Sequence, residues 1–416
     1  MDADLRAHVL PYWHDTAVDW TTGGYRLYGK WFTVRGALDT AAALLRSLLE
    51  PRDSSNGPAS REKHLVAQAR LLYVFSLAHQ RQFSGAARSY LQAAQHGYEF
   101  LAGRMVDAEE GGCFWRVDHR GRPLDATKRL YGQAFAIYAL CEYHRASQEP
   151  EPLAHALALF RTVNQRMRDR VHGGWFEHLD RDFCALPDGT TTRETGFGHV
   201  SGRKTAGGYL HWMEALSELA DVTGDREARD ALQQALGFNT SVFFERPSGA
   251  PQEVTDAWRP IDSVDGCDAH YGHNLEAAWL VRRAQQVLRV APSVERLHDV
   301  VAHALRHGFD WQRGGFYSKG SDDGSPPSTD KVWWVQAEGL VALSEALAAD
   351  AAPPADFEAG LRLLLDWIWN HQRFRDGIWA WSTDERGVLR NPTKAGNWKA
   401  GYHEVRAMCR FIDVWA

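Results

Sequence analysis

Residues 271–286 read YGHNLEAAWLVRRAQQ and predict a helix that begins with His273 and Glu276, one turn apart, and continues with Ala, Trp and Leu. Five further segments share this small-residue-rich character: HLVAQARLLYVFSLAHQ, YGQAFAIYALCEY, GYLHWMEALSELADV, WWVQAEGLVALSEAL and GYHEVRAMCRFIDVW. Each of the six carries one polar residue in its first two turns, and these are Arg70, Gln133, His211, His273, Gln336 and His403. Six matched segments indicate a repeat architecture.

A glycine turn followed by aromatic residues recurs between these segments. It appears as GGYRLY, GGCFWRVD, GGWFEHLD, GGFYSK and DGIWAW, with its last glycine at residues 24, 112, 174, 315 and 377. The spacings are 88, 62, 141 and 62, and the doubled interval leaves room for a sixth copy near Phe243 in SVFFERPSG. Amphipathic segments such as EPLAHALALFRTVNQRMRDRV precede most of the turns. The chain therefore predicts six pairs of helices.

Six alternating outer and inner helices predict an all-α (α/α)6 barrel that forms a single domain over residues 1–416. The inner helices would be buried all round, and their polar residues would converge at one end of the bore. A linear helical solenoid is the alternative, but it needs polar capping repeats and gives no reason to align three histidines. Residues 50–63 and 321–330 are expected to form loops at the mouth of the pocket.

Composition excludes several classes of protein. The chain has 44% hydrophobic and 24% charged residues, with 47 Lys and Arg against 53 Asp and Glu, so it lacks the basic field that nucleic acid binding requires. The sequence shows neither a secretory leader nor a stretch of about 18 apolar residues that a membrane span needs, which predicts a cytoplasmic protein without membrane contact. The cysteines are scattered and are expected to be reduced: Cys113, Cys141, Cys184, Cys267 and Cys409.

Three histidines on three inner helices, together with Arg70, form an acid/base set. A single buried histidine is more often a hydrogen-bonded core residue, but three at matched repeat positions favour a site. A metal is not expected, because HEVRA at His403 lacks the second histidine of the HExxH motif. A cofactor is not expected either, because GFGHVSG at Gly196 departs from the dinucleotide-binding spacing and the P-loop motif does not occur.

The aromatic content, with 17 Trp and 13 Tyr, favours a small-molecule sugar as the ligand. Sugar rings pack their C–H faces on aromatic side chains while their hydroxyls bind polar groups. Trp334 and Trp398 lie beside inner-helix polar residues and are predicted to stack on the ligand. The tryptophans in the glycine turns, Trp115, Trp175 and Trp379, are predicted to fill space between helices.

Five segments in this order resemble the N-acylglucosamine 2-epimerase superfamily, and most closely its cellobiose 2-epimerase-like branch. They are KHLVAQARLLYVFS, LYGQAFAIYAL, YGHNLEAAWL, WWVQAEG and WKAGYHEVR, and the resemblance covers nearly the whole chain. It implies an (α/α)6 barrel that epimerises or isomerises reducing sugars without a metal or a nucleotide.

The resemblance also implies roles for individual residues. The family's two catalytic histidines fall on His273 and His403, with Glu276 supporting His273. The remaining site residues implied are Arg70, a further pocket histidine at His211, the stacking residues Trp334 and Trp398, and the sugar-contacting Tyr131. Glu338 in WWVQAEG is predicted, apart from the resemblance, to take part in substrate binding. The sequence departs from the family at Gly207, where an asparagine is usual, and at Glu404, which replaces the asparagine of PYHN. Both changes are expected to touch the shell that faces the sugar.

The expected reaction is removal of the C2 proton of an open aldose by a histidine, with Arg70 stabilising the enediolate. Return of the proton to the opposite face of C2 gives the 2-epimer, whereas delivery to C1 gives the ketose, and residue identity does not decide between them. A glycoside hydrolase is the rival class, with Asp265, Asp268, Glu276 and Glu338 as candidate carboxylates. A non-enzymatic sugar-binding protein is the third interpretation. The oligomeric state is expected to be a monomer or a homodimer.

Overall fold

The structure is a computed structural model that describes residues 1–27, 62–85, 87–187, 189–190, 200–249, 251–261, 269–320 and 328–415. The predicted loops at 50–63 and 321–330 lie largely outside these ranges. Cys267 and two of the candidate hydrolase carboxylates, Asp265 and Asp268, also lie outside them.

Helices alternate between an outer and an inner layer along the chain. The outer helices are α1 (2–17, comprising Asp2–Asp4, Leu5–Val9 and Leu10–Ala17), α3 (Tyr90–Phe100), α5 (Pro150–Arg166), α7 (Arg226–Phe238), α9 (Val294–His307) and α11 (Ala355–Trp367). The inner helices are α2 (Leu65–Gln80), α4 (Leu130–Ser147), α6 (Ala206–Thr223), α8 (Tyr271–Leu288), α10 (Trp333–Ala349) and α12 (Tyr402–Trp415). π-Helical turns Leu101–Met105, Asn239–Phe243 and Ile368–Gln372 extend α3, α7 and α11.

The inner helices form a closed ring. Each packs against the next from α2 to α12, and α12 contacts α2, while the outer helices cover the ring from outside. Small and apolar residues allow this, because an inner helix contacts neighbours on nearly every face; in α10, for example, almost every residue from Trp333 to Ser344 is buried. The predicted (α/α)6 barrel is confirmed.

Short antiparallel strand pairs join successive repeats. The strand that leads into an inner helix pairs with a strand that follows the next glycine turn. The pairs are β1 (Glu62–His64) with β2 (Arg116–Asp118), β4 (Lys128–Arg129) with β5 (His178–Leu179), β6 (Arg203–Thr205) with β7 (Glu253–Thr255), and β8 (Lys331–Val332) with β9 (Ser382–Thr383). β3 (Pro123–Asp125) and β10 (Leu389–Asn391) extend two of these pairs. This arrangement places the N-termini of the inner helices at one end of the barrel.

A buried aspartate–lysine pair supports four of the glycine turns, and the sequence reading missed it. The aspartate stands four residues before the first glycine and accepts from backbone N–H groups inside the turn, as Asp310 does from Gln312 and Arg313. Both glycines that follow have φ of +85°, which only glycine adopts readily. The lysine comes from the strand before the inner helix. The pairs are Asp19–Lys63 (3.2 Å), Asp107–Lys128 (3.0 Å), Asp169–Lys204 (2.6 Å) and Asp310–Lys331 (2.9 Å).

The side chain at the fourth position of several inner helices bonds to the backbone of the glycine turns. This position includes two of the polar residues that were predicted to converge on the pocket. Gln133 accepts from the backbone N–H of Cys113 and donates to its carbonyl, at 2.7 and 2.9 Å. Gln336 makes the equivalent pair of bonds to Phe316, at 2.7 Å each. The two glutamines therefore face the turns, and the prediction that they converge on the pocket is wrong. Asn274 donates to the carbonyl of Ser248, which confirms a sixth turn after Phe243.

Trp115, Trp175 and Trp379 are at most 1% exposed, which confirms that they fill space between helices. None of the described helices is both long and apolar enough to cross a membrane.

Candidate active site

The first two turns of the inner helices and the loops before them bring the predicted site residues together. Aromatic rings connect them around the bore. Ring centroids lie 4.9 Å apart for Tyr131 and His211, 5.1 Å for His273 and Trp334, 5.7 Å for Trp334 and His403, and 5.8 Å for Tyr131 and Trp398. Arg70 joins this group through Tyr131. These residues come from all six inner helices and from the loop before α12.

His403 is held through one ring nitrogen by a buried carboxylate. Its Nδ1 lies 2.7 Å from Oε1 of Glu338, which is fully buried. Burial opposes ionisation of Glu338, but Arg406 and His403 outweigh it and hold its pKa below the ordinary value. Because an ionised carboxylate only accepts, Nδ1 of His403 carries the proton and its Nε2 is left as an acceptor.

His211 has the same arrangement on α6, three helix pairs away on the opposite side of the ring. Its Nδ1 lies 2.8 Å from Oε2 of Glu214, one turn later on α6. Burial again opposes ionisation, yet Arg406 and His211 lower the pKa of Glu214. The sequence reading did not single out Glu214; the signal was present in LHWMEA, where His and Glu are three residues apart and share a helix face.

His273 is held by a different residue from the one predicted. Its Nδ1 lies 2.7 Å from Oε1 of Gln252, in the segment before β7. Glu276, which was expected to support His273, instead accepts from Arg406. The prediction is wrong because carboxylate and imidazole one turn apart on α8 point toward different neighbours in the ring of helices.

All three imidazoles are neutral near pH 7. Burial lowers the pKa of His403 to about 3, although Glu338 acts in the opposite direction. Burial likewise lowers the pKa of His211 against the effect of Glu214. For His273, burial and then the neighbouring imidazoles lower the pKa well below 6.5. Neutral imidazoles with Nδ1 occupied are equipped to act as bases through Nε2.

Arg406 stands at the centre of three glutamates and was missed in the sequence. Its guanidinium donates to Glu214 (2.6 Å), Glu276 (2.5 Å) and Glu338 (2.7 Å), which come from α6, α8 and α10. Burial and then the charge of Glu338 raise the pKa of Glu276 to about 8, although Arg406 opposes this. The available signal was an arginine three residues after His403 on a helix predicted to be buried all round.

The hydrogen bonds of Glu338 contradict the prediction that this residue binds the substrate. Both of its oxygens are occupied, Oε1 by His403 and Arg406 and Oε2 by Nε1 of Trp279 at 3.1 Å. A fully buried carboxylate with these partners holds other side chains and does not contact a sugar.

Arg70 is a buried cation whose hydrogen bonds go to uncharged oxygens. It donates to the backbone carbonyl of Trp398 and to the hydroxyl of Tyr131 (3.0 Å), and its guanidinium lies 4.6 Å from the ring centroid of Phe135. Within the part of the chain that the structure describes, Arg70 has no ion-pair partner and its Nε–H is unsatisfied. No carboxylate among these residues neutralises its charge.

The two departures from the family pattern fall in different surroundings. A Cβ atom built on Gly207 would lie 3.5 Å from the ring of Tyr131 and 3.9 Å from Nε2 of His273, so this position faces the site as expected. Glu404 is buried in an ion pair with Lys399. The expectation that Glu404 faces the sugar is therefore wrong.

Among the described residues, Glu276, Glu338 and His403 place one ligand atom each within 4.8 Å of one another, a set that could hold a metal ion. Arg406 already donates to both of these carboxylates and supplies the positive charge at this point. A cation added there would face the guanidinium at short range, so the donor set does not fit a metal.

At one end, the closed ring of helices gathers histidines, a guanidinium and partly exposed aromatic rings. The sequence model of the N-acylglucosamine 2-epimerase (GlcNAc 2-epimerase) family matches residues 53–407, and the chain belongs to that family. It is 30% identical to cellobiose 2-epimerase of Bacteroides fragilis over 418 residues, covering 98% of this chain and 96% of that one.

Two further relatives agree with this family. The chain is 28% identical to D-mannose isomerase of Thermobifida fusca over 307 residues, covering 70% of each chain. The structure of cellobiose 2-epimerase from Bacillus thermoamylovorans superposes with a TM-score of 0.80 at 25% identity, covering 99% of this chain and 97% of that one.

Proposed function

We propose that this protein is a carbohydrate 2-epimerase that acts on the reducing-end aldose of a cellobiose-type disaccharide or on mannose and glucose. One observation carries the proposal: among the residues that the structure describes, neutral imidazoles bonded through Nδ1 lie at the same end of the barrel as a guanidinium that has no carboxylate partner. Epimerisation at C2 needs a base for a weakly acidic proton and a cation for the oxygen that becomes charged. The relatives that carry the names cellobiose 2-epimerase and D-mannose isomerase support this choice.

In the proposed mechanism, the sugar ring opens and the aldehyde acidifies the C2 proton. A histidine removes this proton through Nε2, with Nδ1–H anchored, so that the base does not rotate away as it becomes charged. Arg70 stabilises the enediolate oxygen, because a buried guanidinium needs no reorganisation when charge develops beside it. His273 and His403 are the proposed proton carriers, and the ring of Trp334 contacts both imidazoles.

The aromatic rings are proposed to hold the sugar. Tyr131, Trp334 and Trp398 are each partly exposed, unlike the buried tryptophans of the glycine turns. With the sugar held on the Trp334 ring, His273 and His403 are proposed to approach C2 from opposite faces, as removal and return of the proton with inversion at C2 require.

An aldose–ketose isomerase is the second candidate, because the same enediolate gives the ketose when the proton returns to C1. The similarity to D-mannose isomerase favours keeping it. A glycoside hydrolase is less favoured, because Glu276 and Glu338 are tied to Arg406 and neither is free to act on a glycosidic bond.

The test is proton and carbon NMR of the purified protein with cellobiose, and separately with mannose, in D2O. A 2-epimer that carries deuterium at C2 is the expected product. A ketose with deuterium at C1 would establish the isomerase instead, and release of glucose from cellobiose would establish a hydrolase. Absence of product and of solvent exchange with both sugars would contradict the proposal.

Histidine variants assign the proton carriers in the same experiment. His403→Ala and His273→Ala are expected to abolish formation of the epimer. His298→Ala is the matched control, because His298 lies on outer helix α9 and contacts the backbone carbonyl of Ala346. Equal activity of His403→Ala and the control would remove His403 from the mechanism.

A further inference from the structure

Arg406 links two of the three imidazoles through their carboxylates. Nη1 of Arg406 donates to Oε1 of Glu214 (2.6 Å), whose other oxygen lies 2.8 Å from Nδ1 of His211. Nη2 donates to Oε1 of Glu338 (2.7 Å), and the same oxygen lies 2.7 Å from Nδ1 of His403. One guanidinium therefore bridges two histidine–carboxylate pairs that belong to different repeats.

We propose that Arg406 is a positioning residue that fixes the Nδ1–H tautomer of His211 and of His403 together. Loss of either carboxylate then alters the ring nitrogens of both histidines, including the one that the substitution does not touch. Arg406 acts only through the carboxylates, so it is not a catalytic residue.

The guanidinium has the geometry for this role. Its planar group offers donors in a fixed fork and stays charged at every accessible pH, so it holds both carboxylates ionised and correctly oriented. Tyr402 adds a hydrogen bond to Oε1 of Glu214 at 2.7 Å, which limits how far that carboxylate can rotate. Each carboxylate is left with the histidine Nδ1–H as a further donor, and this sets the tautomer.

The charged and titratable groups that form this network or face it come from every inner helix around it. They are Arg70 and Tyr73 from α2, Tyr131 and Tyr138 from α4, His211 and Glu214 from α6, His273 and Glu276 from α8, Glu338 from α10, and Tyr402, His403 and Arg406 from α12. Glu214, Glu276 and Glu338 share one central guanidinium, so removal of the charge of Glu214 or of Glu338 changes the electrostatic balance felt by the other groups. This sharing is the physical route by which the two histidines are coupled.

The experiment compares three isosteric variants by long-range proton–nitrogen NMR of protein with 15N-labelled histidine. Glu214→Gln and Glu338→Gln each remove one linked carboxylate. Glu218→Gln is the matched control, because Glu218 is one turn further along α6 and pairs with Arg283 and Arg145 instead of Arg406. His211→Asn and His403→Asn assign the resonances.

Wild-type protein should show Nδ1-protonated rings at both His211 and His403. Glu214→Gln should shift the His403 nitrogens, and Glu338→Gln should shift those of His211, whereas Glu218→Gln should shift neither. Shifts confined to the histidine beside each substitution would overturn the proposal, as would Nε2-protonated rings in the wild-type protein. Should one of the two glutamine variants fail to fold, the other variant still decides the question, because each is read at the histidine that its substitution does not touch.

The kinetic consequence rests on the proposed function, whereas the NMR result does not. In the Glu214→Gln variant, the pH midpoint of the acid limb of the kcat/KM profile for C2 proton exchange should shift, although Glu214 does not contact His403. Wild-type protein without any sugar turnover would contradict the proposed function and leave the NMR test intact. Active protein with an unmoved acid limb and unmoved His403 resonances would contradict the coupling.

Discussion

A Cβ atom on Gly207 would lie 3.9 Å from Nε2 of His273, at the N-terminal end of α6 and inside the candidate site. Some other helical glycines are required sterically; Gly272, for instance, lies so close to Trp334 that an added Cβ would be 2.4 Å from the ring. Gly207 meets only ordinary contacts, and its φ is not positive. Gly207 therefore leaves open space beside His273 that a larger residue would fill, and we expect the sugar to use this space.

Substitution of Gly207 should therefore change sugar selection more than stability. Gly207→Ala should leave the free energy of unfolding unchanged or raise it, and Gly207→Asn should lower kcat/KM for sugars that fill this space by an amount equivalent to about 1–3 kcal/mol. The measurement is kcat/KM for a panel of mono- and disaccharides, with urea unfolding alongside. Gly237→Ala on α7, where an added Cβ meets nothing within 4 Å, is the control. Identical panels for Gly207→Asn and wild type would show that the space is not used.

Activity should persist well below the pKa of a free imidazole. Burial lowers the pKa of His403 to about 3 and that of His273 well below 6.5, so both remain unprotonated bases as the pH falls through 6.5. The expected pH profile of kcat/KM for C2 proton exchange is flat through pH 6.5, with its acid limb at lower pH. Half-loss of activity at pH 6.5 would contradict the burial of these bases.

The same groups should make the protein less stable in acid, so folding must be monitored at each pH. Unfolded histidines bind protons near pH 6.5, whereas His403 in the folded state does so only near pH 3. The unfolded state therefore binds more protons in this window, and the free energy of unfolding decreases as the pH falls from 6.5. Circular dichroism during urea unfolding at several pH values measures this decrease. His403→Gln should flatten the dependence, and an unchanged slope would exclude His403 as a source.

Arg70 should contribute mainly to the transition state. Arg70→Met removes the charge that faces the developing enediolate and should lower kcat by about 10²–10³ with a smaller change in KM. Arg70→Lys keeps the charge but loses the fork that reaches both Tyr131 and the carbonyl of Trp398, so partial activity is expected. Steady-state kinetics of the epimerisation distinguish the two variants. A change in KM alone would assign Arg70 to substrate binding.

The buried pair Asp310–Lys331 should be a large and specific contributor to stability. Lys331→Met leaves Asp310 as an uncompensated buried charge and should cost about 3–5 kcal/mol in the free energy of unfolding. The double variant Asp310→Asn with Lys331→Met should cost less than the single variant, because it removes both charges. Urea unfolding of the two variants gives the comparison. Arg362→Met in the exposed pair with Glu358 is the control and should change stability by less than about 1 kcal/mol.

The sequence alone determined the barrel and the approximate place of the site. Segments such as WWVQAEGLVALSEAL are apolar or small on every face, and six such segments can be buried only in a ring covered by amphipathic partners. The repeat also located His211, His273 and His403 near the helix N-termini, because residues at matched repeat positions reach the same end of the barrel.

Only the tertiary structure decided which polar side chains face the bore and which residues pair. Gln133 and Gln336 satisfied the sequence pattern, yet their side chains face the glycine turns. Each comes two residues after a site residue, Tyr131 or Trp334, and two residues along an α-helix rotate the side-chain direction by about 200°. The bonds of His273 to Gln252 and of Arg406 to Glu214 join residues that lie 21 and 192 positions apart in the chain. Such pairs depend on the rotation and spacing of whole helices, which hydrophobic periodicity does not specify.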